Sequence, residues 1–227
     1  ALKLGAPERK VAFAVPTGNF GNVFAGYVAG RMGLPIDQFV VGSNANDILT
    51  RFFASGAMEM TEVMPTISPS MDIQVSSNFE RLLFELYGRD GKRVAETLGA
   101  FRAGGRFEVP ADILAKAKRQ FDGARFDDDA TLALIGAEYT RSRHLLDPHS
   151  AVGLAAARAR RQDTSVPMVV LATAHPAKFP DAVEQASGVR PALPPHLADL
   201  MTRDERVNVL ANDLDALRAF IVERISR

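Results

Sequence analysis

Gly18 and Gly21, with Asn19 and Asn22 beside them, stand in the stretch Pro16-Thr17-Gly18-Asn19-Phe20-Gly21-Asn22. The glycines let a backbone come close to a ligand, and the asparagines add side-chain donors. The chemistry open to such a group is anion binding, because N–H groups gathered at one spot hold a phosphate. The glycine spacing is not that of a dinucleotide loop, and no Gly-Lys-Ser/Thr of a P-loop follows. From the residues alone two readings stay open: a phosphate cradle, or a plain glycine turn between strand and helix with no ligand.

The flanking elements decide where such a loop sits. Val11 to Val15 is a short apolar run that reads as a buried strand, and Val23 to Met32 reads as a helix closed by Gly33. Strand, loop, helix in that order places the positive end of a helix dipole behind the loop. Ile36–Gly42 reads as a second strand, followed by a helix over Asp47–Ser55 ended by Gly56. This is the rhythm of a parallel sheet with crossover helices, whose ligands bind at the carboxyl ends of the strands. Gly18–Asn22 and Ser43–Asn46 are therefore expected on one rim. Val166–Thr173 reads as a further buried strand that delivers Thr173 to the same rim.

Other candidates have structural readings beside the functional ones. Ser77-Asn78-Phe79-Glu80 has the form of a capping box, with an anion at Ser76, Ser77 and Asn78 as the alternative. Residues 57–72 read as loop. Residues 90–120 read as polar and helical, with breaks at Gly104-Gly105 and Pro110. Asp127-Asp128-Asp129 precedes a helix expected over Ala130–His144, where acidic residues complement the dipole more readily than they hold a metal. Asp147 and Pro148 fit the N-cap and N1 positions of the next helix, and Ala155-Ala156-Ala157 suits close packing on a sheet. His144, His149, His175 and His196 lack the spacing of a helical metal site. His149 and His175 are the better functional candidates among them, since each sits at a helix start.

Composition narrows the classes. The 227 residues hold 27 basic and 27 acidic side chains, so no general attraction to nucleic acid or an anionic membrane is implied. Cysteine is absent, which excludes disulfides, cysteine metal sites and a cysteine nucleophile, and is compatible with a cytoplasmic protein. No apolar run is long enough to span a bilayer.

Several blocks together carry a resemblance. They are Pro16 to Asn22, Ser68-Pro69-Ser70-Met71-Asp72-Ile73, Ser76-Ser77-Asn78-Phe79-Glu80-Arg81, Leu146-Asp147-Pro148-His149-Ser150-Ala151-Val152-Gly153, Thr173-Ala174-His175-Pro176-Ala177-Lys178-Phe179 and Thr202-Arg203-Asp204-Glu205-Arg206. In this order they resemble threonine synthase, a pyridoxal-phosphate enzyme of the tryptophan-synthase-β structural class. The resemblance implies an α/β fold: part of a pyridoxal-phosphate fold type II sheet with crossover helices, plus a helical insert and a helical tail. It divides the chain into 1–75 and 145–190 as two parts of the cofactor-binding core, 76–144 as a mainly helical insert and 191–227 as the tail. It also implies a lyase of threonine biosynthesis, converting O-phospho-L-homoserine and water to L-threonine and phosphate, with pyridoxal 5'-phosphate as electron sink.

By matching position, Gly18, Asn19, Phe20, Gly21 and Asn22 would hold the cofactor phosphate, and Thr173 would meet the pyridine nitrogen. A neutral hydroxyl there leaves the ring less strongly protonated than a carboxylate would. Asn78 and Arg81 are expected to receive the substrate's phosphate. None of Lys3, Lys10, Lys92, Lys116, Lys118 and Lys178 matches the family's Schiff-base lysine, so no catalytic residue is assigned within this chain. The expectation is a carboxyl-terminal fragment, inactive alone, of a parent that is cytoplasmic and a monomer or dimer. The competing expectation is a non-catalytic α/β module that binds a phosphate ligand.

Overall fold

Val11–Pro16 forms strand β1 in the computed structural model, which describes residues 1–225. Helix α1 (Gly21–Arg31) follows, then β2 (Ile36–Ser43) and α2 (Ile48–Ser55). A short strand β3 (Ala57–Glu59) lies in the stretch expected to be loop, and α3 (Phe79–Leu86) comes after it. The polar region beyond holds α4 (Gly91–Gly104), β4 (Arg106–Glu108), α5 (Ala111–Lys118) and β5 (Phe121–Arg125). Helices α6 (Asp128–Ser142) and α7 (Pro148–Arg160), strand β6 (Met168–Val170) and α8 (Pro180–Ser187) complete the unit Ala1–Pro191.

The main sheet is parallel, with strand order β5-β2-β1-β6. Its two faces follow from alternation along the strands. Phe13, Val15, Phe39 and Val41 point to one side and meet α1 and α2 in a core rich in phenylalanine. Ala14 and Val40 point to the other side and meet Ala156 and Ala157 of α7. Small residues on both partners let α7 lie close on the sheet, as the alanine run implied. A sheet covered on both faces explains why β1 reads as an unbroken apolar run.

Three expectations need correction. β5 lies inside 76–144, the stretch expected to be a mainly helical insert, and pairs with β2 from Phe39↔Phe121 to Ser43↔Arg125. It is an edge strand carrying Asp122 and Arg125, so it shows no apolar run. β6 spans only Met168–Val170 and is half-buried, shorter and more exposed than the buried strand expected over Val166–Thr173, because it too is an edge. The capping box at Ser77 does not form: α3 starts at Phe79, Asn78 occupies the N-cap position, and no side chain caps it.

The second unit, Ala192–Arg227, carries helix α9 (Leu214–Ile225). Its apolar residues Leu214, Leu217, Ile221 and Ile225 are exposed, and the Arg224 guanidinium lies 3.5 Å from the Phe220 ring centroid. Ser226 and Arg227, the end of the expected tail, lie outside the described residues. No helix among the described residues is long and apolar enough to cross a membrane.

Candidate functional site

The loop after β1 is wound by its own residues. Thr17 N–H donates to Gly42 O at 3.1 Å, which carries the sheet ladder one residue past Pro16. Thr17 Oγ1 then accepts the Phe20 N–H at 2.9 Å. Phe20 adopts φ 63°, in the left-handed region, and turns the chain into α1. Its ring is fully buried against Phe53, Phe79 and Phe121, with the Phe79 ring edge-on at 5.3 Å. A core side chain therefore anchors a strained turn. The first turn of α1 leaves the N–H groups of Gly21, Asn22 and Val23 without an intrahelical acceptor, whereas Phe24 N–H already bonds Phe20 O.

These residues open on a cleft of about 310 Å³ at the carboxyl ends of the parallel strands. Pro16, Thr17, Gly18, Asn19, Gly21 and Asn22 line one side, and Thr173, Ala174 and Lys178 line another. Ser70, Met71 and His149 complete it. Lys178 is the one formally charged side chain in that lining, and no carboxylate is present. Together with the α1 dipole this gives the cleft a positive bias suited to an anion.

The wall bearing Ser70 and Met71 is held by a polar knot on the neighbouring strand end. Asp72 Oδ1 accepts from Asn44 Nδ2 at 2.7 Å, Asn46 Nδ2 at 2.9 Å and Thr66 Oγ1 at 2.7 Å. Asp72 Oδ2 accepts the Thr66 N–H at 2.9 Å. Asn44 and Asn46 are buried, and this carboxylate joins Ser68 Oγ, 2.9 Å from the Asn44 amide, and Met64 O, 2.8 Å from the Asn46 amide, in accepting their donors. The segment it secures presses on Gly18. A Cβ there would stand 2.9 Å from Ile73 Cδ1 and 3.2 Å from Met71 Cα.

The structure thus brings Gly18, Asn19, Gly21, Asn22 and Thr173 to one cleft, with Thr173 exposed on the loop past β6. Phe20 belongs to the loop but not to the lining. Its ring is in the core and its N–H is taken by Thr17, so it shapes the cradle without offering a donor. Asn78 and Arg81 also lie outside the lining. Asn78 Nδ2 donates to Asn19 O at 2.9 Å, and the Arg81 guanidinium donates to Asn78 Oδ1. Ser77 Oγ, expected to cap α3, instead donates to Asn19 Oδ1 at 3.4 Å. The start of α3 therefore braces the loop from behind.

Of the remaining candidates, His149 reaches the cleft and His175 does not. His175 Nδ1 accepts the Ala177 N–H at 3.1 Å and caps a short turn. Asp127 caps α6 through Ala130 N–H at 2.9 Å. Ser70 and Met71 were given no role in the sequence, because their loop has no period and only the fold carries it to Gly18. Lys178, which does not match the family's Schiff-base lysine, is brought to the cleft by the turn after His175-Pro176.

Comparison with known proteins points to one family. The family described as "Threonine synthase, C-terminal" matches residues 150–221. Threonine synthase of Pseudomonas aeruginosa is 54% identical over 228 residues, covering 100% of this chain and 49% of that protein. The Corynebacterium glutamicum enzyme of the same name is 40% identical, covering 96% of this chain and 47% of its own length. Among solved structures, threonine synthase from Brucella melitensis with bound PLP superposes with a TM-score of 0.91 at 51% identity, covering 98% of this chain and 48% of that one. The yeast enzyme superposes at 0.84 with 37% identity, over 98% of this chain and 48% of that one. The chain spans about half the length of the curated relatives it matches. An α/β core with a glycine loop at the strand ends, shared in sequence and in shape with these enzymes along nearly its whole length, places this chain in the threonine synthase family.

Proposed function

We propose that the chain forms the cofactor-phosphate side of a pyridoxal-phosphate-dependent threonine synthase, a lyase that converts O-phospho-L-homoserine and water to L-threonine and phosphate. The observation that carries it is the cleft itself. The amides of the first α1 turn, Gly18 and the side chains of Asn19 and Asn22 meet Thr173 across a lining free of carboxylates. A phosphate dianion fits there by charge and by the open backbone at the glycines. When bound, pyridoxal phosphate supplies an electron sink for carbanion chemistry.

The chain's own residues have separate tasks in this reading. Gly18, Asn19, Gly21 and Asn22 hold the phosphate, with Phe20 fixing the turn, and Thr173 supplies a neutral hydroxyl to the ring nitrogen. Asn78 and Arg81 receive the substrate's phosphate. Arg81 forms no ion pair among the described residues and is tied to the loop through Asn78, which supports that assignment. The cofactor-linking lysine of the family matches no lysine here, so the chain by itself is read as inactive. A cysteine-free composition supports a cytoplasmic location.

The test is a titration of pyridoxal phosphate, inorganic phosphate and a nucleotide against the 227-residue chain and its Gly21→Asp variant. Pyridoxal phosphate binding that the variant loses supports the reading. A preference for the nucleotide, or no binding in either protein, overturns it. Phosphate release from O-phosphohomoserine by this chain alone would overturn the assignment of inactivity.

A further inference from the structure

One buried pair beside the cleft has no part in that scheme. Asp147 and His149 are 1% and 4% exposed. Asp147 Oδ1 lies 3.0 Å from His149 Nδ1 and also accepts the His149 N–H at 2.9 Å. Asp147 Oδ2 accepts from Ser150 Oγ. Burial pushes the Asp147 carboxyl up, but the hydrogen bonds from His149 and Ser150 outweigh it and hold it below its ordinary value. An ionised carboxylate only accepts, so Nδ1 carries a proton, and the lone pair on Nε2 follows from the backbone donor that faces it. Nε2 accepts the backbone N–H of Ser70 at 3.3 Å. The Phe179 ring, 4.7 Å away, packs against the imidazole.

The bond to Ser70 closes a ring of contacts. Helix α7 is seated on the end of β1, where Gly153 meets Pro16. From α7, His149 reaches Ser70. Met71 and Ile73 follow Ser70 and bear on Gly18, which stands next to Thr17 in the loop that leaves Pro16. Asp72 holds this wall from the β2 side, and His149 holds it from the α7 side. We propose that His149 is a positioning residue for the cradle: through Nε2 it fixes Ser70 and so sets the wall that keeps Gly18 in place. This rests on the reading of the cleft as a phosphate site.

The two ring nitrogens can be tested apart. In His149→Gln the amide oxygen takes roughly the place of Nε2, whereas in His149→Asn the amide nitrogen takes roughly the place of Nδ1. Two readouts are compared, hydrogen exchange of the Ser70 amide and affinity for pyridoxal phosphate. His149→Gln is expected to stay close to wild type in both. His149→Asn is expected to speed Ser70 exchange and weaken binding, each about tenfold, the loss of one hydrogen bond. Equal behaviour of the two variants, or a Ser70 amide unprotected in the wild-type chain, overturns the proposal. If the wild-type chain binds no pyridoxal phosphate, the functional reading falls while the exchange comparison still decides this one. Should His149→Asn fail to fold, the ¹⁵N shifts of His149 in the wild-type chain decide it. A neutral ring protonated at Nδ1 supports the proposal, and a proton on Nε2 near neutral pH overturns it.

Discussion

Pro16 and Gly153 are in contact where helix α7 crosses the end of β1: a Cβ on Gly153 would stand 2.8 Å from Pro16 Cδ and 3.2 Å from its Cγ. Gly42 completes the junction, with its own Cβ position 3.1 Å from Val152 O. Helix and sheet approach as closely as they do because no side chain separates them. This seat fixes the height of His149 above the cleft.

Gly153→Ala is therefore expected to destabilise the chain by about 1–3 kcal/mol, the range for overpacking a tight contact. Gly99 in α4 is the control, since a Cβ there meets nothing within 4 Å. Gly99→Ala should raise stability by about 0.5–1 kcal/mol. Urea midpoints of the two variants check both signs.

Gly18 and Gly21 should separate under the same substitution. Gly18→Ala drives a methyl into Ile73 at 2.9 Å and the Met71 backbone at 3.2 Å, so the wall or the loop must shift. A melting temperature below wild type and weaker phosphate binding are expected together. At Gly21 the nearest atom is Asn78 Nδ2 at 3.5 Å, an ordinary contact. Gly21→Ala should leave stability within about 0.5 kcal/mol of wild type. Thermal melts of both variants read the difference.

Asp72→Ala removes the acceptor shared by Asn44, Asn46 and Thr66. Asn44 and Asn46 keep Ser68 Oγ and Met64 O as acceptors, whereas the Thr66 N–H loses its partner, a cost of about 1–3 kcal/mol. A loss of about 1–3 kcal/mol is expected, with faster proteolysis of the 60–75 segment. Limited proteolysis followed by mass spectrometry locates the opened bonds.

Glu138 gives the chain an acid limit. Its buried carboxylate is bound first by Arg141, then by Arg158 at 2.7 Å and Ser142 at 3.0 Å, which lowers its pKa from 4.5 to about 2. Because the folded value is the lower one, the stabilisation is present above the unfolded value. It is lost as pH falls from 4.5 toward about 2. Glu138→Gln should be less stable than wild type near neutral pH, and the gap should narrow across that window. Denaturant midpoints measured at successive pH values test this.

The sequence by itself determined the pieces that local chemistry controls. Short apolar runs set β1 and β2, and a glycine stop set the end of α2. Asp147-Pro148 marked the start of α7, and the glycine loop with its asparagines was legible as the turn between β1 and α1. Thr173 and the loop were assigned to one rim because parallel strands deliver their ends to one side. Tertiary structure decided what depends on partners far along the chain. β5 is a strand only because β2 offers it a ladder, since Asp122-Gly123 carries no strand signal of its own. Ser77 does not cap α3, and Asn78 holds the N-cap position without a capping bond, because both side chains turn to Asn19. Phe20 was grouped with the loop ligands only through the family resemblance, and its ring fills a core built by Phe53, Phe79 and Phe121. Ser70 came to the cleft because His149 and Asp72 hold its loop from two sides, and hydrogen bonds spanning such distances leave no pattern in neighbouring residues.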